Sequence, residues 1–333
     1  MKSHEYVQLS HGGGGLEMNQ FIHRLFFEAF NNPILSRDED AATLEINGPI
    51  AMTTDSFTVS PLFFQGGNIG SLAVAGTCND LAMVGAKPQY LTCSFIIEEG
   101  MAIAELETIV ATMAHEMARI SVQVVCGDTK VVPKGSADKV FINTTGVGEI
   151  QQSGISAANL QANDVLLVSR DVGCHGASIL ADREALRLEH AIQSDCDLLW
   201  PAVEALLNEK IDIHAMRDAT RGGIAAVLNE WCQCSQVQMQ LHESDIPVSE
   251  SVRGVCELFG FEAFDLANEG TFVLAVPAEC AERALAILQR FQPQASVIGQ
   301  VVEAMPCKPI LTSPWGSRRY LDFPVGELLP RIC

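Results

Sequence analysis

The sequence predicts an α+β protein of two domains, and three observations carry that expectation. Residues 50–150 alternate strand and helix patterns in the order β-α-β-α-β-β, which suits a mixed sheet better than a doubly wound one. A second set of elements opens with DVLLVSR at 164–170, after the polar stretch QQSGISAANLQAND. The chain has 333 residues, 48% of them apolar, enough for two cores of ordinary size.

In order, LSHGGGG (9–15) is a loop whose four glycines allow backbone N–H groups to approach an anion; a flexible linker is the simpler reading. Phe21, Ile22, Leu25, Phe26 and Ala29 then share one helical face, and Asn31-Asn32-Pro33 stops that helix. IAMTTDSFTV (50–59) reads as a strand carrying Asp55 near its end, and 68–84 as a helix closed by Gly85 and Pro88. Asn79 and Asp80 sit in that helix among apolar and small residues. A strand (YLTCSFII), a helix over roughly 102–120, a strand VQVVCGDTK and a strand VFINTTGVGEI complete the first set.

The boundary falls near 152–163. Beyond it come helices around 175–187 and 197–209, then a strand, a turn at Asp218–Gly223 and a helix in HAMRDATRGGIAAVLNEW. VQMQLHE, a helix near 249–260, the ANEG turn (267–270) before TFVLAV, a helix at 279–291 and SVIGQVVE follow. The closing stretch, SPWGSRRYLDFPVGELLPRIC, holds Pro314, Pro324 and Pro330 and favours extended, turn-broken chain. Stretched out from Pro309, it would reach roughly 80 Å at about 3.3 Å per residue. Cys333 therefore reads as a thiol on an arm, or as a frayed end.

Net charge is −20, with 41 acidic against 21 basic residues and no basic run, which argues against nucleic acid or an anionic membrane as partner. MKSHEYVQLS lacks the apolar core of a secretory leader, and the apolar stretch at 69–86 is broken by Asn79 and Asp80. The eleven cysteines are scattered, without a CxxC pair, so a disulfide framework is not expected and the reducing cytoplasm is.

Four acidic turns recur: TTDS at Asp55, CND at Asp80, GDT at Asp128 and RDATRGG at Asp218. Each alone reads as an Asx-turn or helix cap. Three of them behind a glycine loop also suit Mg²⁺, which takes one or two carboxylates and completes its shell with water and phosphate. Lys130 could hold phosphate as a point charge, and Glu269 in ANEG could serve as a base if buried. No P-loop, GxGxxG, HExxH or GxSxG pattern occurs, and the eight histidines show no ligand spacing.

HGGGG, TTDS, GTCNDLA, GDTKVV, RDATRGG, ANEG and the terminal PRIC, in this order, resemble the HypE family of hydrogenase maturation factors along essentially the whole chain. That family lies in the PurM-like superfamily of ATP-using enzymes, and the closing PRIC separates it from its relatives. The resemblance implies a two-domain PurM-like fold: 1–155 for ATP binding and dimerisation through a mixed sheet that forms a dimeric β-barrel, 156–310 as an α+β C-terminal domain, and 311–333 as a flexible tail. It implies ATP-dependent dehydration of a carbamoyl group on Cys333 to a thiocyanate. A HypF-like carbamoyltransferase would load the thiol, and a HypC–HypD complex would take the cyanide for a [NiFe]-hydrogenase iron centre. Carried over by position, Asp55, Asp80 and Asp128 become metal ligands, and Asn79 and Thr129 join them around ATP and Mg²⁺. Gly12, Gly13, Gly14 and Gly15 become the phosphate-covering loop, and Lys130 with Glu269 the pair that handles the amide. The sequence departs from the family pattern at Gly13, at Cys174, where aspartate is common, and at Thr271, where lysine is frequent. Two other readings stand beside this one: a PurM-like enzyme acting on a free small molecule, and a non-catalytic scaffold that binds partners through its tail.

Overall fold

The structure is a computed structural model that describes residues 5–39, 41–326 and 329–333. A short 3₁₀ turn at Leu9–Gly12 precedes α1 (Leu16–Ile22), which runs on as a π-helical turn over His23–Phe27. Then come β1 (Ile50–Phe57), a two-residue pairing of β2 (Phe63–Phe64) with β3 (Gly67–Asn68), α2 (Ile69–Met83), β4 (Ala86–Glu98), α3 (Ile103–Ile120), β5 (Gln123–Val132) and β6 (Val140–Ile150).

The start of α2 is set locally. The Asn68 side chain accepts from the backbone N–H groups of Gly70 and Ser71, and the Ser71 hydroxyl accepts from the Asn68 N–H at 3.0 Å, a reciprocal cap. Every residue of α2 except Asp80 is buried, as expected of a helix apolar all round. Ile103, Leu106, Ile109, Val110, Met113, Met117 and Ile120 form one apolar stripe that lays α3 against α2. The first sheet has the order β1-β6-β4-β5, with β4 parallel to β5 and antiparallel to β6. It is open, with β1 and β5 as edges, so the expected barrel is not a property of one chain.

The second half contains β7 (Val165–Val168), α4 (Cys174–Arg183), α5 (Trp200–Asn208), β8 (Ala215–Asp218), α6 (Gly223–Ser235), β9 (Gln238–His242), α7 (Glu250–Phe259), β10 (Phe272–Val276), α8 (Ala278–Phe291), β11 (Ser296–Val302), β12 (Pro309–Thr312) and β13 (Arg318–Tyr320). These strands build one seven-stranded sheet in the order β13-β12-β9-β11-β7-β10-β8, antiparallel except for β9 with β12. All five residues of β10 are buried, because helices cover both faces.

The tail departs from the expected free arm. Its first part pairs as β12 and β13 and extends the second sheet past residue 310. Its end folds back: Ile332 is 4% exposed and packs into the main core. Glu327 and Leu328 lie outside the described residues. Among the described residues no helix is long and apolar enough to cross a membrane.

Candidate active site

The site lies where the first sheet meets the second half of the chain. Asp55 is on β1 and Asp80 is the one unburied residue of α2. Asp218 ends β8, and Glu269 stands in the turn before β10. Thr53 Oγ1 donates to Asp80 Oδ2 at 2.7 Å. Burial, and then the Asp80 carboxylate with which it shares a hydrogen bond, push Asp55 up to about 6. Burial, then Asp80, push Asp218 up to about 7. Glu269 is 3% exposed and is raised well above the usual carboxyl range by burial, then by Asp195, Asp218 and Asp55. Its Oε1 is buried without a hydrogen-bond partner among the described residues. Such a set favours protons over bare charge, and a divalent cation would relieve it.

Among the described residues, no three His, Cys, Asp or Glu side chains converge as a ready-made cation cage. Mg²⁺ takes one or two carboxylates and draws the rest of its shell from water and phosphate. The donor chemistry of Asp55 and Asp80 therefore fits the ion.

Glu269 is held by a carboxylate that sequence reasoning passed over. Asp195 is 1% exposed and accepts from the N–H groups of Glu269 and Gly270, the latter at 3.0 Å, and from Thr271 Oγ1 at 2.7 Å. A Cβ on Gly270 would lie 1.9 Å from the Asp195 carbonyl oxygen, so only glycine fits that turn. Thr271 thus anchors Asp195, and the Cys174 thiol donates to Asp171 Oδ2 at 3.0 Å.

Into this site comes the end of the chain. The backbone N–H and hydroxyl of Thr58 donate to an α-carboxylate oxygen of Cys333 at 3.0 and 3.2 Å, and the Ser60 N–H donates to the Arg331 carbonyl at 3.2 Å. Arg331 Nε donates back to the Thr58 carbonyl at 2.8 Å, so 331–333 pair with 58–60 much as a short strand would. Arg183 bridges the two segments, donating to the Ser60 carbonyl at 2.7 Å and to the Arg331 carbonyl at 2.6 Å. His175, 0% exposed, lies 2.8 Å through Nε2 from the Ile332 carbonyl and 2.7 Å through Nδ1 from Ser194 Oγ. A carbonyl can only accept, so Nε2 carries the proton and Nδ1 accepts from the Ser194 hydroxyl. Burial pushes the Cys333 thiol up to about 12, with the Glu269 charge adding to the rise and Arg221 opposing it.

Residues 38–150 match the family described as AIR synthase related protein, N-terminal domain, and residues 161–308 match its C-terminal counterpart. Carbamoyl dehydratase HypE of Escherichia coli (strain K12) is 45% identical over 336 aligned positions, covering 98% of this chain and 99% of that protein.

The chain belongs to the HypE family.

A solved structure of hydrogenase maturation protein HypE in complex with ATP superposes with a TM-score of 0.95 at 43% identity, covering 98% of this chain and 99% of that one. A chain from a HypE–HypF complex superposes with a TM-score of 0.79 at 41% identity, covering 93% of this chain and 100% of that one. The fold is thus that of the HypE family, two AIR-synthase-type domains with mixed sheets.

The residues expected to form one site fall into two groups. Asp55, Asp80, Glu269 and Cys333 converge. Asp128, Thr129, Lys130 and the glycine loop stand together elsewhere, on edge strand β5. Gly12 is pressed against Val131, 2.9 Å from where its Cβ would be, while Gly13, Gly14 and Gly15 are exposed. The register pairs Asp55 with Thr144 on β6, and Asp128 with Ser94 on β4. Asp128 is therefore three strand spacings, about 14 Å, from the β1 position of Asp55. Two expectations need correcting for a single chain. Asp128 does not join Asp55 and Asp80, because the strand order puts it on the opposite edge. Lys130 does not face Glu269: it is exposed and pairs with Asp128 at 2.6 Å.

Asn79 also departs from its expected place around ATP. Its amide donates to the carbonyls of Asp197 (3.0 Å) and Glu269 (3.3 Å) and accepts from the Leu199 N–H (2.8 Å). Every polar atom of its side chain is spent tying α2 to the segments that present Glu269. Thr129 is 5% exposed, turned into the core from the same strand. Sequence reasoning missed Asp195, His175 and Arg183 as site residues. The signal for His175 was only its place in GCHGA, and Asp195 had none beyond small neighbours.

Proposed function

We propose that this chain is an ATP-dependent carbamoyl dehydratase acting on its own last residue. It converts an S-carbamoyl group on Cys333 to S-cyanocysteine, which supplies the cyanide ligand for [NiFe]-hydrogenase iron-centre assembly. The observation that carries this reading is the docked terminal thiol, held beside a buried, proton-hungry Glu269 at the junction of two AIR-synthase-type domains.

An amide oxygen is a very poor leaving group, and phosphorylation makes it a good one. The carbamoyl oxygen attacks the γ-phosphorus of ATP, ADP departs, and one N–H proton is lost. The C–O bond then breaks with its electron pair leaving on phosphate, the second N–H proton is lost, and the C≡N bond is complete. Glu269, raised in pKa, is a strong base once ionised and is the residue best placed to take these protons. Asp55 and Asp80 would hold Mg²⁺, which when bound supplies charge neutralisation to the phosphates. His175, Arg183 and Thr58 hold the tail so that the carbamoyl carbon stays in place while water is excluded.

A docked thiol pushed up to about 12 is a poor nucleophile, so loading belongs to an undocked tail. A HypF-like carbamoyltransferase as loading partner is supported by the HypE–HypF complex of the relative. We assign 1–155 as the ATP-binding domain, 156–310 as the C-terminal domain and the remainder as the carrier tail, its first strands docked on the second sheet. A homodimer through the first sheets, closing a barrel, would bring the β5 edge of a second chain, with Gly12–Gly15, Asp128 and Lys130, to the ATP. Delivery to a HypC–HypD complex in the cytoplasm completes the proposal.

The test is intact-protein mass after incubation with carbamoyl phosphate, ATP, Mg²⁺ and the loading partner. A carbamoyl adduct on Cys333 that loses one water is the expected result. An adduct that persists with ATP present would overturn the dehydratase reading, and normal turnover by a chain lacking Cys333 would favour an enzyme of a free small molecule.

A further inference from the structure

Among the described residues, Arg221 is a cation near the carboxyl-rich site that forms no hydrogen bond or ion pair. Arg221 stands in the turn between β8 and α6, and its backbone is fixed by the two glycines that follow. Gly222 and Gly223 have φ of 80° and 58°, and a Cβ on Gly223 would lie 2.3 Å from the Phe264 carbonyl oxygen. With Cys333, Ser56, Thr58 and Asp265, Arg221 lines a cavity of 520 Å³. Among the described residues its guanidinium makes no hydrogen bond or ion pair. The arginines nearby are committed: Arg217 to Glu230, Arg170 to Asp171, Arg183 to two tail-site carbonyls, and Arg331 to Asp138 and the Thr58 carbonyl. The Arg221 charge opposes, as a smaller effect than burial, the upward shift of Cys333, Glu269 and Asp55.

A planar cation with free donors beside the carrier sulfur is suited to one thing, an oxygen that gains negative charge or a phosphate. An exposed arginine without partners contributes little to the fold, which leaves the ligand as its use. Resting on the dehydratase reading, we propose that Arg221 is a catalytic residue that hydrogen-bonds the oxygen of the S-carbamoyl group. It holds that oxygen while the phosphoryl group is transferred to it and again as it leaves within phosphate. Within one chain Arg221 would thus take the oxygen-holding role that Lys130 was expected to fill.

The experiment separates loading from dehydration. Wild-type, Arg221→Ala and Arg221→Lys proteins are carbamoylated on Cys333 by the loading partner with carbamoyl phosphate, then given ATP and Mg²⁺ in single turnover and followed by intact mass. Loading of the alanine variant should match wild type within about twofold, while conversion slows by about 10²–10³, the usual cost of losing one oxyanion donor. Arg221→Lys should fall between, and added guanidinium ion should restore part of the alanine variant's rate. Conversion of Arg221→Ala within about threefold of wild type would overturn the assignment. So would a parallel loss of loading, which would make Arg221 a docking residue for the partner. Failure of the wild type itself to lose water would instead take down the dehydratase reading, and the assignment with it.

Discussion

His175 Nε2 lies 2.8 Å from the carbonyl oxygen of Ile332, so a wholly buried imidazole on α4 holds the last peptide bond of the chain. Burial also lowers the histidine's pKa, which keeps the ring neutral. Removing it leaves the Ile332 carbonyl without a donor, at about 1–3 kcal/mol. His175→Ala should therefore load with carbamoyl normally but dehydrate about ten-fold or more slowly. Residues 329–333 should exchange deuterium faster in the variant, and unchanged exchange there would remove His175 from tail docking.

Cys333 should resist alkylation while docked. Burial pushes its thiol up to about 12, whereas Cys234 is exposed. Iodoacetamide should label Cys333 at least about 100-fold more slowly than Cys234, since the thiolate is the reacting form. In His175→Ala the gap should narrow. Equal rates in the unmodified protein, read by peptide mass, would count against a docked resting tail.

Glu269→Gln tests the base without disturbing its setting. The side chain is buried and its Oε1 is unpartnered, so an amide of the same shape should fold with stability within about 1 kcal/mol of the parent. Dehydration of the loaded protein should fall by about 10²–10⁴, the range for loss of a positioned base. Wild-type rates in this variant would move the proton-taking role to another group.

Stability should fall with rising pH in metal-free buffer. Asp218 is pushed up to about 7 from the ordinary 3.8, and Asp55 to about 6, so the folded chain keeps protons that the unfolded chain has already released. The native state then binds more protons, and the stability this confers is complete at low pH and lost as pH rises from about 4 to 7. Thermal unfolding followed from pH 4.5 to 8 should show the midpoint drop by several degrees, and Asp218→Asn should flatten the slope. A midpoint that rises over this range would contradict the shared burial of these carboxyls.

Much of the fold was legible. VFINTTGVGEI occupies β6 over Val140–Ile150, and the α3 stripe reads directly from the spacing of Ile103, Leu106, Ile109 and Val110. The motif aspartates were legible as functional residues, but not as neighbours. Asp55 and Asp128 stand in similar acidic turns, and nothing local says that β6 and β4 lie between their strands. Asn79 was read with Asp80 because they adjoin. Side chains one apart on a helix point about 100° apart, so one meets Asp55 while the other ties down the Asp197–Leu199 segment.

The terminal cysteine shows the same division. By itself the sequence determined that a thiol ends a proline-broken stretch, and that aspartates, glycines and a glutamate stand in turns. Such features depend on residues within a few positions of each other, where backbone sterics and hydrophobic period decide the outcome. Only the tertiary structure decided that the stretch docks. His175 and Ile332 are 157 residues apart, and Arg183 and Arg331 are 148 apart. Contacts at that separation follow from strand order and from burial of Ile332 in the core, which no local pattern encodes. The same packing put Arg221 on the wall of the cavity that Cys333 lines, and Lys130 on the opposite edge of the first sheet.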